Sequence, residues 1–192
     1  MRIFSFLLLK LCILFSMSVD AAEPKSTLDL MQSDGYVLML RHALAPGFGD
    51  PENISIGHCT TQRNLNQTGR DQAKNIGKWL TTNTIKPSAI YTSQWCRCKE
   101  TAELLDVGKV KELTGLNSFY QMPENRSANL HALRQFLSTQ ATNQKLIIMV
   151  THSVTISAIS GQSVSSGDGV LLKLNDSNGY DFVTTVDTNS LP

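Results

Sequence analysis

The chain has 192 residues, 41% of them hydrophobic, which suits one globular domain with a sizeable core and is short for two. Its 17 lysines and arginines nearly balance its 16 acidic residues, so bulk charge does not mark a nucleic-acid binder, although a local positive pocket stays open.

Residues 1–21 read as a cleaved export signal. Arg2 precedes the apolar stretch Ile3 to Phe15, and Val19-Asp20-Ala21 offers small residues for processing. Lys10 interrupts the stretch, and a span wants about twenty apolar residues, so no stable membrane span is expected after processing. Cys12 makes a poor lipoprotein site because the preceding Leu11 is bulky. Cleavage after Ala21 takes Arg2 and Lys10 from the 17 basic residues and Asp20 from the 16 acidic ones, leaving 15 of each in a protein that is periplasmic or secreted.

Cys59, Cys96 and Cys98 then remain in an oxidising compartment, where a disulfide is permitted. Cys59 is expected to pair with either Cys96 or Cys98, tying the loop after the first strand to a second segment. The alternative is a metal held by His58, Cys59, Cys96 and Cys98, but structural zinc favours two spaced ligand pairs and Cys-x-Cys is tight.

Residues 22–35 form a linker and a short helix: Ser26 or Thr27 can cap Leu28 to Gln32, and Ser33-Asp34-Gly35 stops it. The main domain, residues 36–192, opens with the strand Tyr36 to Leu40, whose lack of polar alternation suits a sheet covered on both faces. It ends in Arg41-His42. Ala43 to Gln62 carries Pro46, Gly47, Gly49, Pro51 and Gly57, too many breakers for a helix. Loops of this length are uncommon unless functional, so it is expected to wall a site.

A helix starts near Thr68, with Ala73, Ile76, Gly77 and Leu80 as its buried stripe and Arg70, Lys74 and Lys78 outside. Ala89 to Ser93 is the next strand. Ser93 is expected to cap a helix from Gln94 to Leu105, whose first-turn amides attract an anion even before Arg97 is counted.

Val107 to Val110 reads as a short strand and Leu113 to Glu124 as a second loop, followed by a helix from Ser127 to Thr139 with Leu130, Leu133 and Leu137 inward. Lys145 to Thr151 is the last core parallel strand, leading through His152 to a helix opened by Ser153 and running through Ile159. The Gly and Ser around Gly161 to Gly169 suggest a flexible rim. Gly169 to Leu174 and Asp181 to Val186 then read as an antiparallel hairpin. In open α/β sheets ligands bind at the carboxyl ends of strands, and three such ends here lead to His42, Arg97 and His152.

These residues resemble the histidine phosphatase superfamily, which includes phosphohistidine phosphatases and cofactor-dependent phosphoglycerate mutases. Its Arg-His-Gly is met as Arg41-His42-Ala43. Leu65-Asn66-x-x-Gly69-x-x-Gln72-Ala73, Ser93-x-x-x-Arg97-x-x-x-Thr101-Ala102 and Val150-Thr151-His152-Ser153 are similar to further family motifs and fall in the expected order. With the leader, Gln94 to Cys98 looks most like exported members, including relatives of lipopolysaccharide-core phosphatases. The resemblance implies a three-layer, phosphoglycerate mutase-like α/β sandwich with a mostly parallel central sheet and helices on both faces.

It also implies that His42 attacks phosphorus to form a phosphohistidine, while Arg41, Arg97 and His152 supply positive charge and Arg63 is a further phosphate ligand. No metal or other cofactor is expected. Two guanidiniums near His42 would keep its imidazole neutral. The acid is unassigned: where the family often has Leu-Asn-Glu the chain has Leu116-Asn117-Ser118, and Asp50, Glu52 and Glu124 are the loop carboxylates offered as substitutes to reach a leaving group. His58 and His131 lack motif support and read as structural or exposed.

The expected substrate is a small phosphorylated molecule or phosphorylated glycan, with no nucleic acid as partner. Mutase activity does not fit an exported chain without enclosing loops. The competing reading is a catalytically silent protein that binds a phosphorylated ligand. A thiol-redox role for Cys96-Arg97-Cys98 is disfavoured because redox pairs commonly use Cys-x-x-Cys.

Overall fold

The computed structural model describes residues 25–177 and 179–188; the expected export signal lies outside them. No helix among the described residues is long and apolar enough to cross a membrane.

Helix α1, Thr27–Gln32, is closed at its start by a reciprocal capping box between Ser26 and Asp29. Strand β1, Tyr36–Arg41, follows and lies inside a six-stranded sheet. Its parallel neighbour is β4, Ile147–Thr151, which is buried along its whole length. Parallel to β4 runs β2, Ala89–Thr92, and parallel to β2 runs β3, Val110–Glu112. On the other side of β1 the hairpin β5, Gly169–Asn175, and β6, Gly179–Val186, adds two antiparallel strands. The order is β3-β2-β4-β1-β5-β6.

Side chains alternate across each strand, so β1 feeds both faces. Leu38 and Leu40 join Ile148 and Val150 under α2, Gln67–Thr82, and α3, Cys96–Leu104. Val37 and Met39 join Ile147 and Met149 under α4, Arg126–Ser138, and α5, Ser153–Ser160. This is the three-layer sandwich expected, with a mostly parallel sheet.

Two elements differ from expectation. The helix after β2 begins at Cys96 rather than Gln94 and has no side-chain cap. The hydroxyl of Ser93 instead faces His152, and Trp95, in extended backbone, immediately precedes the helix. The short strand lies at Val110–Glu112, beyond Val107, because pairing with Ile90 to Thr92 sets its register. The stretch after Gly161 is tied to β1: Gly167 N–H donates to the carbonyls of Arg41 and His42 at 3.2 Å, and Arg41 N–H to Asp168 O at 2.8 Å. It forms a fastened wall, contrary to the flexible rim its composition suggested.

Candidate active site

The carboxyl ends of β1, β2 and β4 lie side by side, because those strands are parallel and contiguous through β4. That placement brings His42, Ser93 and His152 together, and α3 adds Arg97. His42 and Arg97 are each only 3% exposed, so they form the floor of a pocket rather than a surface patch.

The family-like motifs have specific structural work. Asn66 caps α2 by accepting from Gly69 N–H at 2.8 Å. Gly69 lies against the main chain of Leu44, where any side chain would overlap the Leu44 carbonyl, so the loop after His42 can rest on the helix. Gln72 accepts from Leu44 N–H at 3.0 Å and donates to Ser166 O at 2.7 Å. Thr101 accepts from Ala43 N–H at 3.0 Å. Together these contacts fix the backbone that follows the histidine.

The tautomer of His42 follows from its partners. Nδ1 is 2.8 Å from the Ala43 carbonyl, which only accepts, so Nδ1 carries the proton. Nε2 receives Arg97 Nε–H at 3.2 Å, so Nε2 is the unprotonated nitrogen and Arg97 engages its lone pair in the free site. Burial, and then the charges of Arg97, Arg41 and Arg63, depress the His42 pKa from 6.5 to about 3. The neutral form expected from sequence is therefore present, with desolvation ahead of the guanidiniums as its cause.

His152 sits edge-on to His42, ring centres 5.5 Å apart. Its Nε2 is 2.9 Å from Ser93 Oγ, and Ser93 passes its own proton to Asn117 Oδ1 at 3.1 Å. Arg97 Nη2, a donor only, lies 3.5 Å from Nδ1, so Nε2 is the protonated nitrogen. Burial and the neighbouring guanidinium of Arg97 hold His152 well below its ordinary pKa. The free site thus holds His152 neutral, whereas sequence reasoning counted it among the cations.

Asp50 organises Arg97. Its carboxylate takes a two-pronged pair from Nη1 at 2.8 Å and Nη2 at 3.1 Å, plus Arg63 N–H at 2.9 Å and the Trp95 indole at 3.3 Å. Burial favours the neutral acid, but these hydrogen bonds and the Arg97 charge outweigh it and keep Asp50 ionised below the usual carboxylate range. Asp50 grips the outer edge of the guanidinium, which leaves Nε–H and one Nη2–H directed at the two histidines. Asp50 is therefore a holder of Arg97, and not a source of protons. Glu52 and Glu124 are exposed and do not line the pocket.

Arg63 does reach the site: it donates to Gly49 O at 3.0 Å and to Ala45 O, and lines the pocket with Arg41. Arg41 donates through Nη1 to Val164 O at 3.0 Å, while its buried Nε has no partner among the described residues. His58 and His131 are exposed. The pocket holds about 220 Å³. Its cationic groups, a neutral imidazole lone pair and no protonated carboxyl make it fit to bind a phosphoryl group and attack it.

Cys59 and Cys96 form a disulfide, and Cys98 is a buried thiol whose pKa burial pushes up to about 12. With both sulfurs engaged, the metal quartet with His58 is not formed. The bond closes 37 residues and fastens the Asp50 loop to α3 beside Arg97. Replacing both cysteines with serine is expected to cost about 3 kcal/mol and to raise KM for a phosphate ester. Denaturant midpoints and steady-state kinetics check this; unchanged values for both would remove the disulfide from the site's support.

The sequence model of the histidine phosphatase superfamily (branch 1) matches residues 37–120, the stretch that carries β1, the Asp50 loop, α2 and Arg97. Over those residues the chain is similar to the histidine phosphatase superfamily. Solved structures of similar fold include the protein histidine phosphatase SixA complexed with tungstate, 14% identical with TM-score 0.57, covering 82% of this chain and 99% of that one. A putative alpha-ribazole-5'-P phosphatase from Escherichia coli is 16% identical with TM-score 0.54, covering 81% and 98%. A phosphoserine phosphatase variant from Entamoeba histolytica, in complex with phosphoserine, is 14% identical with TM-score 0.53, covering 82% and 99%. No curated protein matches the chain significantly. Asp50 is the site residue that no sequence motif announced.

Proposed function

We propose that this chain is an exported, metal-independent phosphatase that hydrolyses a phosphomonoester or phosphoramidate through a phosphohistidine on His42. The observation that carries the reading is the Nε2 lone pair of a neutral, buried His42 aimed at the Arg97 edge of a cationic pocket. Arg41, Arg63 and Arg97 bind the phosphoryl oxygens and neutralise charge that would repel an incoming nucleophile. As the phosphoryl group enters, Arg97 Nε–H moves from Nε2 to a phosphoryl oxygen, and the freed Nε2 lone pair bonds to phosphorus as the bond to the leaving oxygen or nitrogen breaks. Water then attacks phosphorus, the N–P bond breaks, the water proton passes to the phosphate, and neutral His42 returns.

With Nε2–H committed to Ser93, His152 Nδ1 enters the pocket as an acceptor. It accepts a hydrogen bond from the protonated oxygen of a phosphate monoanion and so helps to orient the phosphoryl group. No protonated carboxyl stands ready for the leaving group, so the preferred substrates are those whose leaving group departs without strong acid assistance. A small phosphorylated molecule or phosphorylated glycan outside the cytoplasm fits this reading, and the disulfide supports the oxidising setting.

Intact-protein mass spectrometry at alkaline pH, after brief exposure to 4-nitrophenyl phosphate, tests the mechanism. A phosphoryl adduct on wild type, absent from His42→Ala and accompanied by phosphate release, is expected. Tight binding of phosphate with neither adduct nor turnover would instead identify a silent phosphate-ligand binding protein.

A further inference from the structure

Resting on that reading of the site, we propose that the leaving group is an aromatic or heteroaromatic ring, seated at the pocket mouth between Phe48 and Tyr120. Phe48 is 100% exposed and Tyr120 is 63% exposed, and both line the pocket that holds His42. They come from different loops, one after β1 and one after β3.

The presentation of Phe48 is built into the chain. Gly47 at φ 93° and Gly49 at φ 65° flank it, both in the left-handed region that favours glycine, and this turn carries the ring clear of the protein. Gln121 then clasps the two loops. It accepts from Asp50 N–H at 2.6 Å and donates to Asp50 O at 3.0 Å. Phe48 and Tyr120 therefore project from neighbouring, mutually fastened segments. The same Asp50 holds Arg97, so the rim is fixed relative to the phosphoryl floor.

Size and chemistry agree on the occupant. A cavity of about 150 Å³ accepts benzene, and each water occupies about 30 Å³. The 220 Å³ pocket thus admits one ring with a phosphoryl group beneath it. Aromatic faces gain from offset or edge-on contact with another ring beyond simple burial. A ring oxygen or ring nitrogen is also a better leaving group than an alkyl oxygen, which suits a site whose one lining carboxylate is ionised and paired with Arg97. The shared chemistry is a phosphoryl group on a flat ring, whether a phenol-type oxygen or an imidazole-type nitrogen bears it.

Non-hydrolysable probes separate this proposal from turnover. By calorimetry, wild type is expected to bind phenylphosphonate at least tenfold more tightly than methylphosphonate, with the ratio falling towards one in Phe48→Ala/Tyr120→Ala. Comparable affinity of wild type for both probes, or a preference that survives in the double variant, overturns the proposal. Preference without any phosphoryl adduct would keep the ring site and remove the proposed phosphatase. Comparing kcat/KM for phenyl phosphate and phosphoimidazole then tells which kind of ring is served. Higher values for glycerol phosphate than for either would overturn the assignment.

Discussion

Arg97→Ala is expected to lower kcat/KM on 4-nitrophenyl phosphate by about 10³-fold or more and stability by about 3–5 kcal/mol. The two losses have different origins. Turnover falls because the guanidinium both contacts the His42 lone pair and supplies charge for the phosphoryl oxygens. Stability falls because Asp50, with its side chain only 5% exposed, is left as a buried carboxylate without its cation.

Adding Asp50→Asn separates them. The amide is uncharged and keeps an oxygen for Arg63 N–H, so Arg97→Ala/Asp50→Asn is expected to regain most of the lost stability while turnover stays low. Urea unfolding of the two variants beside steady-state kinetics checks this. Equal instability in both would mean that the Asp50 charge is not what the pair manages.

Acid is expected to weaken the fold well before carboxylates titrate generally. His42 and His152 are buried neutral with folded pKa values below the unfolded value of about 6.5. Below that value the unfolded chain takes up protons that the folded one refuses, so stability is full above it and falls as pH drops. Between pH 7 and 5 His42 should cost about 2 kcal/mol, and His152 adds a loss in the same direction. Asp50, lowered in the folded state, adds a further loss as pH falls through the ordinary carboxylate range. Denaturant midpoints measured at both pH values should show the effect, and His42→Gln/His152→Gln should flatten it. A wild-type midpoint that is level across this range would contradict the buried neutral pair.

How much of this was readable in advance differs by residue. His42 and His152 each follow an apolar run, and a run of that kind predicts a buried parallel strand whose carboxyl end faces the site. Their convergence needed only the order of the strands. Arg97 was legible as a cation at a strand-to-helix junction. The cap assigned to Ser93 failed because a hydroxyl at a helix start and a hydroxyl facing a distant imidazole look alike in sequence.

The disulfide shows where sequence stops. Cys96 and Cys98 lie about 200° apart around a helix at 3.6 residues per turn, so only one can face Cys59. Which one does so depends on how α3 is rotated against the sheet, and that rotation places Cys96 toward the loop and Cys98 against His152.

By itself the sequence determined the strand ends that carry the histidines, since local periodicity and strand polarity suffice for these, and its motif resemblance pointed to the layered fold and to Arg41, Arg63 and Arg97 as the cations. Tertiary structure alone decided that Asp50 grips Arg97 across 47 residues of chain, that burial holds both histidines neutral, and that Gln121 clasps the loops displaying Phe48 and Tyr120. The physical reason is common to all three. Each depends on groups distant in sequence meeting where water is excluded, and neither the partner nor the loss of solvent is written in the residues on either side.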